Sequence, residues 1–326
     1  MKAIIYEQPG AEDVLTLGEV PAPPLGPEEL RIRVAATAVN RADLLQRQGL
    51  YPPPPAASPI LGLECAGEVV EIGSAVSGWK IGERAMALLA GGGYAQEAVV
   101  HYGSALHVPS VFSDEEAGAF PEVFLTAFLN LFLLGELKAG GIALIHGGGS
   151  GVGTAAIRLL REAGVRCLVT AGSDGKCRRC RDLGADVAIN YRAGDFAPQV
   201  REVTAGAGVD VVLDAIGGKY LASNLQSLAV DGRLVIIGLM GGAKAEIDLA
   251  SVLLRRLRVI GSTLRMRSAQ DKAQIVASFL ARFGAALAAG RLPPVIDRVL
   301  PLEQAAEGHR VLKSSVHFGK VVLRVL

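Results

Sequence analysis

The period of apolar and polar positions changes twice along this chain. Over the first 110 or so residues, short alternating or apolar runs recur at 3–6, 30–39, 65–72, 85–89 and 95–101, separated by Gly and Pro clusters. Such runs predict strands. Asn40 to Arg47 reads as a short helix capped by Asn40. Tyr51 then precedes Pro52 to Pro55, a run that holds the backbone extended and cannot join a central strand.

From Ser113 the period lengthens. Ser113 and Glu116 have capping-box spacing, and helical periodicity follows to about Leu137. Strands and helices then alternate. Strands are expected at 142–146, 166–171, 187–190, 209–214, 233–238 and 259–261, with helices at 151–163, 174–183, near 195–204 and near 219–228. Six strands joined by helices predict an α/β fold with a doubly wound parallel sheet, its glycine turns at the carboxyl ends of the strands. A long helix over 269–289 leads to a strand at 295–300, another helix from near Leu302, and a last strand at 319–325. A closing strand with no further βα unit implies that the C-terminal segment returns to the first domain's sheet. The expected division is 1–122 with 268–326, and 123–267.

Composition narrows the possibilities. At 326 residues the chain has room for two cores. A formal net charge of +1 gives no reason to expect nucleic acid or an anionic membrane as partner. The start of the chain reads as a strand and lacks a signal peptide's apolar segment. The run 123–134 contains Thr126 and Asn130, is too short to span a bilayer, and reads as a buried helix. Four cysteines (Cys65, Cys167, Cys177 and Cys180) suit a reducing cytosol, hence a cytoplasmic protein. Cys177 and Cys180 have C-x-x-C spacing, but they lie inside a predicted helix without a second pair and read as structural.

The stretch with the most chemistry is His146-Gly147-Gly148-Gly149-Ser150-Gly151-Val152-Gly153, between a predicted strand and helix. A glycine turn at a helix N-terminus lets backbone N–H groups approach a pyrophosphate. The G-x-G-x-x-G pattern uses Gly148 and Gly153, with Ser150 in place of the middle glycine; a serine hydroxyl can donate to a phosphate oxygen. The His-Gly-Gly-Gly string also matches an esterase oxyanion loop, but that reading needs a later G-x-S-x-G elbow, and the chain has none. At the end of the second strand, where NAD-preferring domains carry an acid, Ala171 is followed by Gly172-Ser173-Asp174-Gly175-Lys176. Ser173 and Lys176 can bind a 2′-phosphate, which points to NADPH; Asp174, turned inward, would repel it.

These residues resemble the zinc-free quinone oxidoreductases of the medium-chain dehydrogenase/reductase superfamily. The likeness runs through Asn40-Arg41-Ala42-Asp43-Leu44, Arg47-Gln48-Gly49 before Tyr51, Ile60-Leu61-Gly62-Leu63-Glu64, Ala85 to Leu89 and Leu125-Thr126-Ala127-Phe128. It continues through Ser150 to Ala156, Thr170-Ala171-Gly172-Ser173 and Gly238-Leu239-Met240-Gly241-Gly242. It implies a GroES-like β-rich substrate domain enclosing a central Rossmann domain, an active site in the cleft, and a homodimer through the Rossmann edge strands. It gives Ser150, Gly151, Val152 and Gly153 to the pyrophosphate turn, and Gly172, Ser173 and Lys176 to the 2′-phosphate. Tyr191 would border the adenosine; Gly238, Leu239, Met240 and Gly241, with Ser262, Thr263 and Leu264, would lie along the nicotinamide half.

Zinc relatives in that superfamily carry Cys and Gly-His-Glu ligands. Here Leu63 replaces the His, Asn40 lies where the Cys is sought, and the cysteines of a structural zinc lobe are missing, so no metal is expected. Hydride delivery to a plain ketone leaves a strongly basic alkoxide that a metal can stabilise. Delivery to a quinone leaves a phenolate-like anion whose conjugate acid titrates near ~10. A metal-free site thus favours quinones or activated alkenes. The candidate catalytic groups are Tyr51, Thr126 and Asn40, with Tyr51 and Thr126 also touching cofactor. Tyr51 is the leading polar group at the nicotinamide, with a packing residue as the other reading; Thr126 reads equally as a threonine bonding its own helix, and Asn40 also as a cap. His146 reads as core, and His101, His107, His309 and His317 receive no role. The expected function is NADPH-dependent quinone reduction by direct hydride transfer. The alternatives are an enone or enoyl-thioester reductase, or a non-catalytic NADPH-binding sensor.

Overall fold

The computed structural model describes residues 1–55 and 57–325. The chain divides into two compact units, Met1–Leu125 with Leu264–Leu326, and Thr126–Thr263.

In the first unit, β1 (Lys2–Ile5) pairs antiparallel with β2 (Thr16–Glu19). The long strand β3 (Glu29–Val39) leads into α1 (Arg41–Arg47), followed by β4 (Glu64–Ile72), β5 (Arg84–Leu88), β6 (Glu97–His101), β7 (Ala105–His107) and α2 (Asp114–Gly118). Alternation along β3 buries Leu30, Ile32 and Val34 against Cys65, Val69, Ala85 and Ala87. The Ser113–Glu116 capping box forms as its spacing predicts, with both reciprocal hydrogen bonds. Helix α3 (Pro121–Phe128) carries the chain onward.

The second unit opens with a π-helical turn, Leu129–Leu134. It continues as β8 (Ile142–His146), α4 (Gly151–Glu162), β9 (Arg166–Ala171), α5 (Asp174–Leu183), β10 (Val187–Asn190), α6 (Phe196–Val203), β11 (Val209–Asp214), α7 (Leu221–Ser227), β12 (Leu228–Ile236), α8 (Leu249–Leu254) and β13 (Arg258–Gly261). Among the described residues these strands form one six-stranded parallel sheet in the order β10-β9-β8-β11-β12-β13. The order reverses between β8 and β11, which makes the sheet doubly wound. Leu144, Leu168, Val212 and Leu234 are fully buried in its core.

The chain re-enters the first unit through α9 (Ala269–Ala288), β14 (Ile296–Pro301), α10 (Ala305–Ser314) and β15 (Lys320–Arg324). β15 inserts between β14 and β3, so the C-terminal strand does join the first sheet. The fold is therefore α/β, with a GroES-like β-rich unit and a Rossmann-type unit.

Three local expectations need correction. The run expected as one helix to about Leu137 breaks before Pro121, and its second half is π-helical. Strands β2 and β7 are additional; β2 is mostly exposed, so its Thr-Leu-Gly-Glu run carries no apolar signal. The fifth parallel strand starts at Leu228 and passes through a register shift before reaching Arg233. Among the described residues no helix is long and apolar enough to cross a membrane.

Candidate active site

In the second unit most of the predicted cofactor residues follow directly from the carboxyl ends of parallel strands. Ser150 to Gly153 follow β8, Gly172 and Ser173 follow β9, Tyr191 follows β10, Gly238 to Gly241 follow β12, and Ser262 and Thr263 follow β13. Lys176 sits one turn into α5. Gly147 turns the chain with φ +72°. At Gly153 a Cβ would collide with the Gly147 carbonyl and lie 2.7 Å from the Gly148 Cα. Only a glycine lets helix and turn approach so closely. Position 150 has no such need, since its φ is −77° and its side chain is the N-cap of α4. Ser150 Oγ accepts the Gly153 N–H at 3.0 Å, and the Ser150 N–H is taken by the Gly147 carbonyl. The first-turn N–H groups of Gly151 and Val152 have no intrahelical acceptor, and they are the donors an anion would meet.

The end of β9 is equally specific. Ser173 caps α5, its Oγ accepting the Lys176 N–H at 3.2 Å. A Cβ on Gly172 would lie 2.7 Å from the Tyr191 hydroxyl, so Tyr191 packs over the place where an acidic side chain would start. Asp174 is turned to Asn190, whose Nδ2 donates to Asp174 Oδ1 at 2.8 Å. The Ser262 hydroxyl is buried without a hydrogen-bond partner, an orphan that a bound polar group would satisfy. Glycine cradle, open helix terminus, uncharged strand end and orphaned hydroxyl together fit a dinucleotide.

His146 lies beneath this rim. Its Nδ1 is 3.0 Å from Thr170 Oγ1 and its Nε2 2.6 Å from Asn224 Oδ1, while Asn224 donates to Asp214 at 3.1 Å. Burial pushes its pKa down to about 4 against the Asn224 hydrogen bond. It is a neutral core residue, as its position suggested. Thr126 is in α3, not on a strand-end turn, and its carbonyl accepts from Asn130 Nδ2 at 2.7 Å.

The first unit holds Tyr51, Asn40 and Leu264, and a buried charge cluster that the sequence did not disclose. Asn40 occupies the N-cap position of α1, where Asp43 Oδ2 accepts its backbone N–H at 2.8 Å. Its side-chain amide is engaged elsewhere. Nδ2 donates to Glu64 Oε1 at 2.9 Å and to the Ala38 carbonyl at 3.2 Å, and Oδ1 accepts from Lys320 Nζ at 2.6 Å. Lys320 also meets Glu64 Oε1 at 2.8 Å and the Val39 carbonyl at 3.2 Å. Glu64 Oε2 accepts the Glu122 backbone N–H at 2.9 Å. The Glu122 carboxyl is raised to about 8 by burial and by the Glu64 charge, with Lys320 opposing.

Tyr51 is partly buried under Arg265, whose guanidinium carbon lies 5.5 Å from the ring centroid. Arg265 itself is buried and donates to the Ala90 carbonyl at 2.8 Å and to Gln46 Oε1 at 2.6 Å; Lys272 Nζ donates to its carbonyl at 2.9 Å. Burial raises the phenol's pKa, partly offset by Arg265. The first unit also holds a buried relay. Arg47 Nη1 donates to His309 Nδ1 at 3.2 Å, which leaves the ring proton on Nε2 facing the Tyr94 hydroxyl at 3.2 Å; that hydroxyl donates to Asp43 Oδ2 at 3.3 Å. Asp43 Oδ1 in turn accepts the Gly62 N–H at 3.0 Å. His309, given no role from sequence, is thus a structural link.

The residues do not fit a zinc ion. The oxygens of Asn40 and Glu64 already surround the Lys320 ammonium, and Leu63, between Gly62 and Glu64, is buried and apolar. Among the described residues no three His, Cys, Asp or Glu side chains converge as a metal site.

Comparison with known proteins agrees with this architecture. Residues 26–110 match the alcohol dehydrogenase GroES-like domain, and residues 151–282 match the zinc-binding dehydrogenase family. A solved NAD-dependent alcohol dehydrogenase is 33% identical, with a TM-score of 0.86 and full coverage of both chains. The Escherichia coli quinone oxidoreductase complexed with NADPH is 27% identical, also at TM-score 0.86 with full coverage of both. A component of the phenolphthiocerol/phthiocerol polyketide synthase of Mycobacterium tuberculosis is 31% identical over 98% of this chain. The chain spans only 14% of the length of that relative.

Proposed function

The chain is an oxidoreductase of the medium-chain dehydrogenase/reductase superfamily, and from that premise we propose an NADPH-dependent, zinc-free reductase of quinones. The observation that carries this reading is the strand-end rim of the second unit, where β9 ends at Ala171 and Gly172 and Ser173 follow it without an acid. Ser150 to Gly153 would hold the pyrophosphate, Ser173 and Lys176 the 2′-phosphate, and Tyr191 the adenosine. Gly238 to Gly241 with Ser262, Thr263 and Leu264 would flank the nicotinamide. The E. coli quinone oxidoreductase, solved with NADPH, supports this cofactor, and the preference over the NAD of the alcohol dehydrogenase rests on the uncharged turn after β9.

When bound, the reduced nicotinamide supplies a hydride. A quinone that takes up the hydride and one proton leaves as a hydroquinone, so the protein must steady a phenolate-like anion and deliver a proton. Tyr51 is suited to both. Its phenol can donate a hydrogen bond that strengthens as anionic charge develops, and Arg265 over the ring favours that charge. Thr126 would contact the carboxamide. Asn40, with Glu64 and Lys320, acts as a positioning residue, because its amide is already engaged. With those oxygens occupied by an ammonium, an acceptor that needs no Lewis acid is the best match.

Similarity to a polyketide synthase segment favours a second reading, reduction of an alkene conjugated to a carbonyl or thioester. NADPH oxidation measured against quinones, enones and enoyl thioesters separates the two. In the same assay Tyr51→Phe should lower turnover more than it weakens NADPH binding; unchanged turnover would make Tyr51 a packing residue.

A second copy of the chain is the proposed partner. β13 is an outer strand of the parallel sheet and largely exposed, and beside it in sequence Leu249, Leu253 and Leu254 are at least 69% exposed. Pairing two such edges would cover them.

A further inference from the structure

Asp174 is a carboxylate about 20 residues beyond Gly153, the distance at which NAD-type domains place the acid that holds the ribose 2′-OH. It is also the first residue of α5, between the capping Ser173 and Lys176. By sequence alone it argues for NADH. Its surroundings argue otherwise. β10 pairs with β9 in a register that sets Asn190 opposite Ala171, so the last residue of β10 stands beside the start of α5. Asn190 Nδ2 donates to Asp174 Oδ1 at 2.8 Å. The amide cannot be turned over without losing a second bond, because Asn190 Oδ1 accepts the Arg192 N–H at 3.1 Å. The carboxylate is therefore held toward the end of β10 by a group whose orientation the backbone fixes.

We propose that Asn190 is a cofactor-specificity residue, which restrains Asp174 and so holds its charge back from the Ser173–Lys176 end of the turn, where a 2′-phosphate would bind. The proposal rests on the NADPH reading above. Released from Asn190, Asp174 would be free to rotate toward Ser173 and Lys176. There it would repel a dianionic phosphate and offer an acceptor to an unphosphorylated ribose.

The test is fluorescence titration of NADPH and NADH against wild type, Asn190→Ala, Asp174→Asn/Asn190→Ala and Lys176→Ala, with circular dichroism melts to confirm folding. Asn190→Ala should raise the NADPH dissociation constant roughly three- to tenfold, the scale of a partly screened charge interaction, while leaving NADH binding equal or tighter. The double variant should restore the wild-type preference to within about twofold, because the offending charge is gone. An unchanged NADPH/NADH ratio in Asn190→Ala, or a loss the double variant does not rescue, overturns the proposal. Lys176→Ala separates the two levels. A selective NADPH loss there, with Asn190→Ala silent, leaves the phosphate site standing without Asn190. If neither variant discriminates, the NADPH reading falls as well.

Discussion

Replacing Lys320 by Met should destabilise the first unit severely. The ammonium is almost wholly buried and sits 2.8 Å from Glu64 Oε1 and 2.6 Å from Asn40 Oδ1. Met fills a similar volume but leaves the Glu64 carboxylate buried with no cation in contact. Removing one partner of a buried ion pair costs about 3–5 kcal/mol. For a domain of 150–250 residues, 1 kcal/mol moves the midpoint by about 2–4 °C, so the unfolding transition should fall by about 6–20 °C. Differential scanning calorimetry on the full chain reads this directly. Lys320→Met/Glu64→Gln should recover much of the loss. The Ala38 carbonyl keeps the Asn40 amide in its orientation, so the Gln side-chain oxygen takes the Asn40 Nδ2 hydrogen bond at the expense of the one from the Glu122 N–H, and no buried charge remains. A single variant within about 1 kcal/mol of wild type would refute the reasoning, since loss of a surface pair costs no more than that. So would a double variant no more stable than the single, because the ammonium would then not be offsetting the Glu64 charge.

Other outcomes follow from the same geometry. Glu122 has its folded pKa raised from 4.5 to about 8, so the folded state keeps a proton that the unfolded chain releases, and stability should fall as pH rises through that window. Glu122→Gln, which cannot ionise, should flatten melting temperature against pH between 5 and 8; an equally steep profile would exclude Glu122 as its source. Gly153→Ala forces a methyl against the Gly147 and Gly148 backbone and should cost about 1–3 kcal/mol of stability. It should also weaken NADPH binding by at least about tenfold, the effect of ~1.4 kcal/mol of lost contact, as read by titration. Leu253→Lys with Leu254→Lys should turn a dimer into a monomer by light scattering without lowering the melting temperature of the monomer; a wild type that is already monomeric would end the edge-pairing proposal.

The second unit was largely legible because its signals are local. Each parallel strand is a short apolar run and each helix has its own period, so 142–146, 166–171, 187–190 and 209–214 were readable without knowing what they pack on. The glycine turn was readable for the same reason. Its departure at Ser150 has a reason visible only in space, a φ that asks for no glycine and a helix end that asks for a cap. The charge cluster was not legible. Asn40 and Lys320 are 280 residues apart, and no period or spacing links a lysine at the start of the last strand to an asparagine after the third. Arg265 and Gln46 are hidden in the same way, and so is Asn190, an unremarked strand-end residue until its partner is seen. Chemistry assembled from neighbours in sequence leaves a motif; chemistry assembled across a sheet does not.

The insertion of β15 between β14 and β3 also sets a timetable. β4 and β6 follow β3 closely and pair with most of it, yet the strand that pairs with its last residues, Ala36 to Val39, and the ammonium that meets Glu64, are made about 280 residues after β3. At about 5–20 residues per second that interval is on the order of 15–60 s. The contiguous second unit is completed inside it. The nascent first unit meanwhile carries an open edge along the end of β3 and a Glu64 carboxylate without its ammonium. Translation of β15, after the whole second unit, ends that exposure.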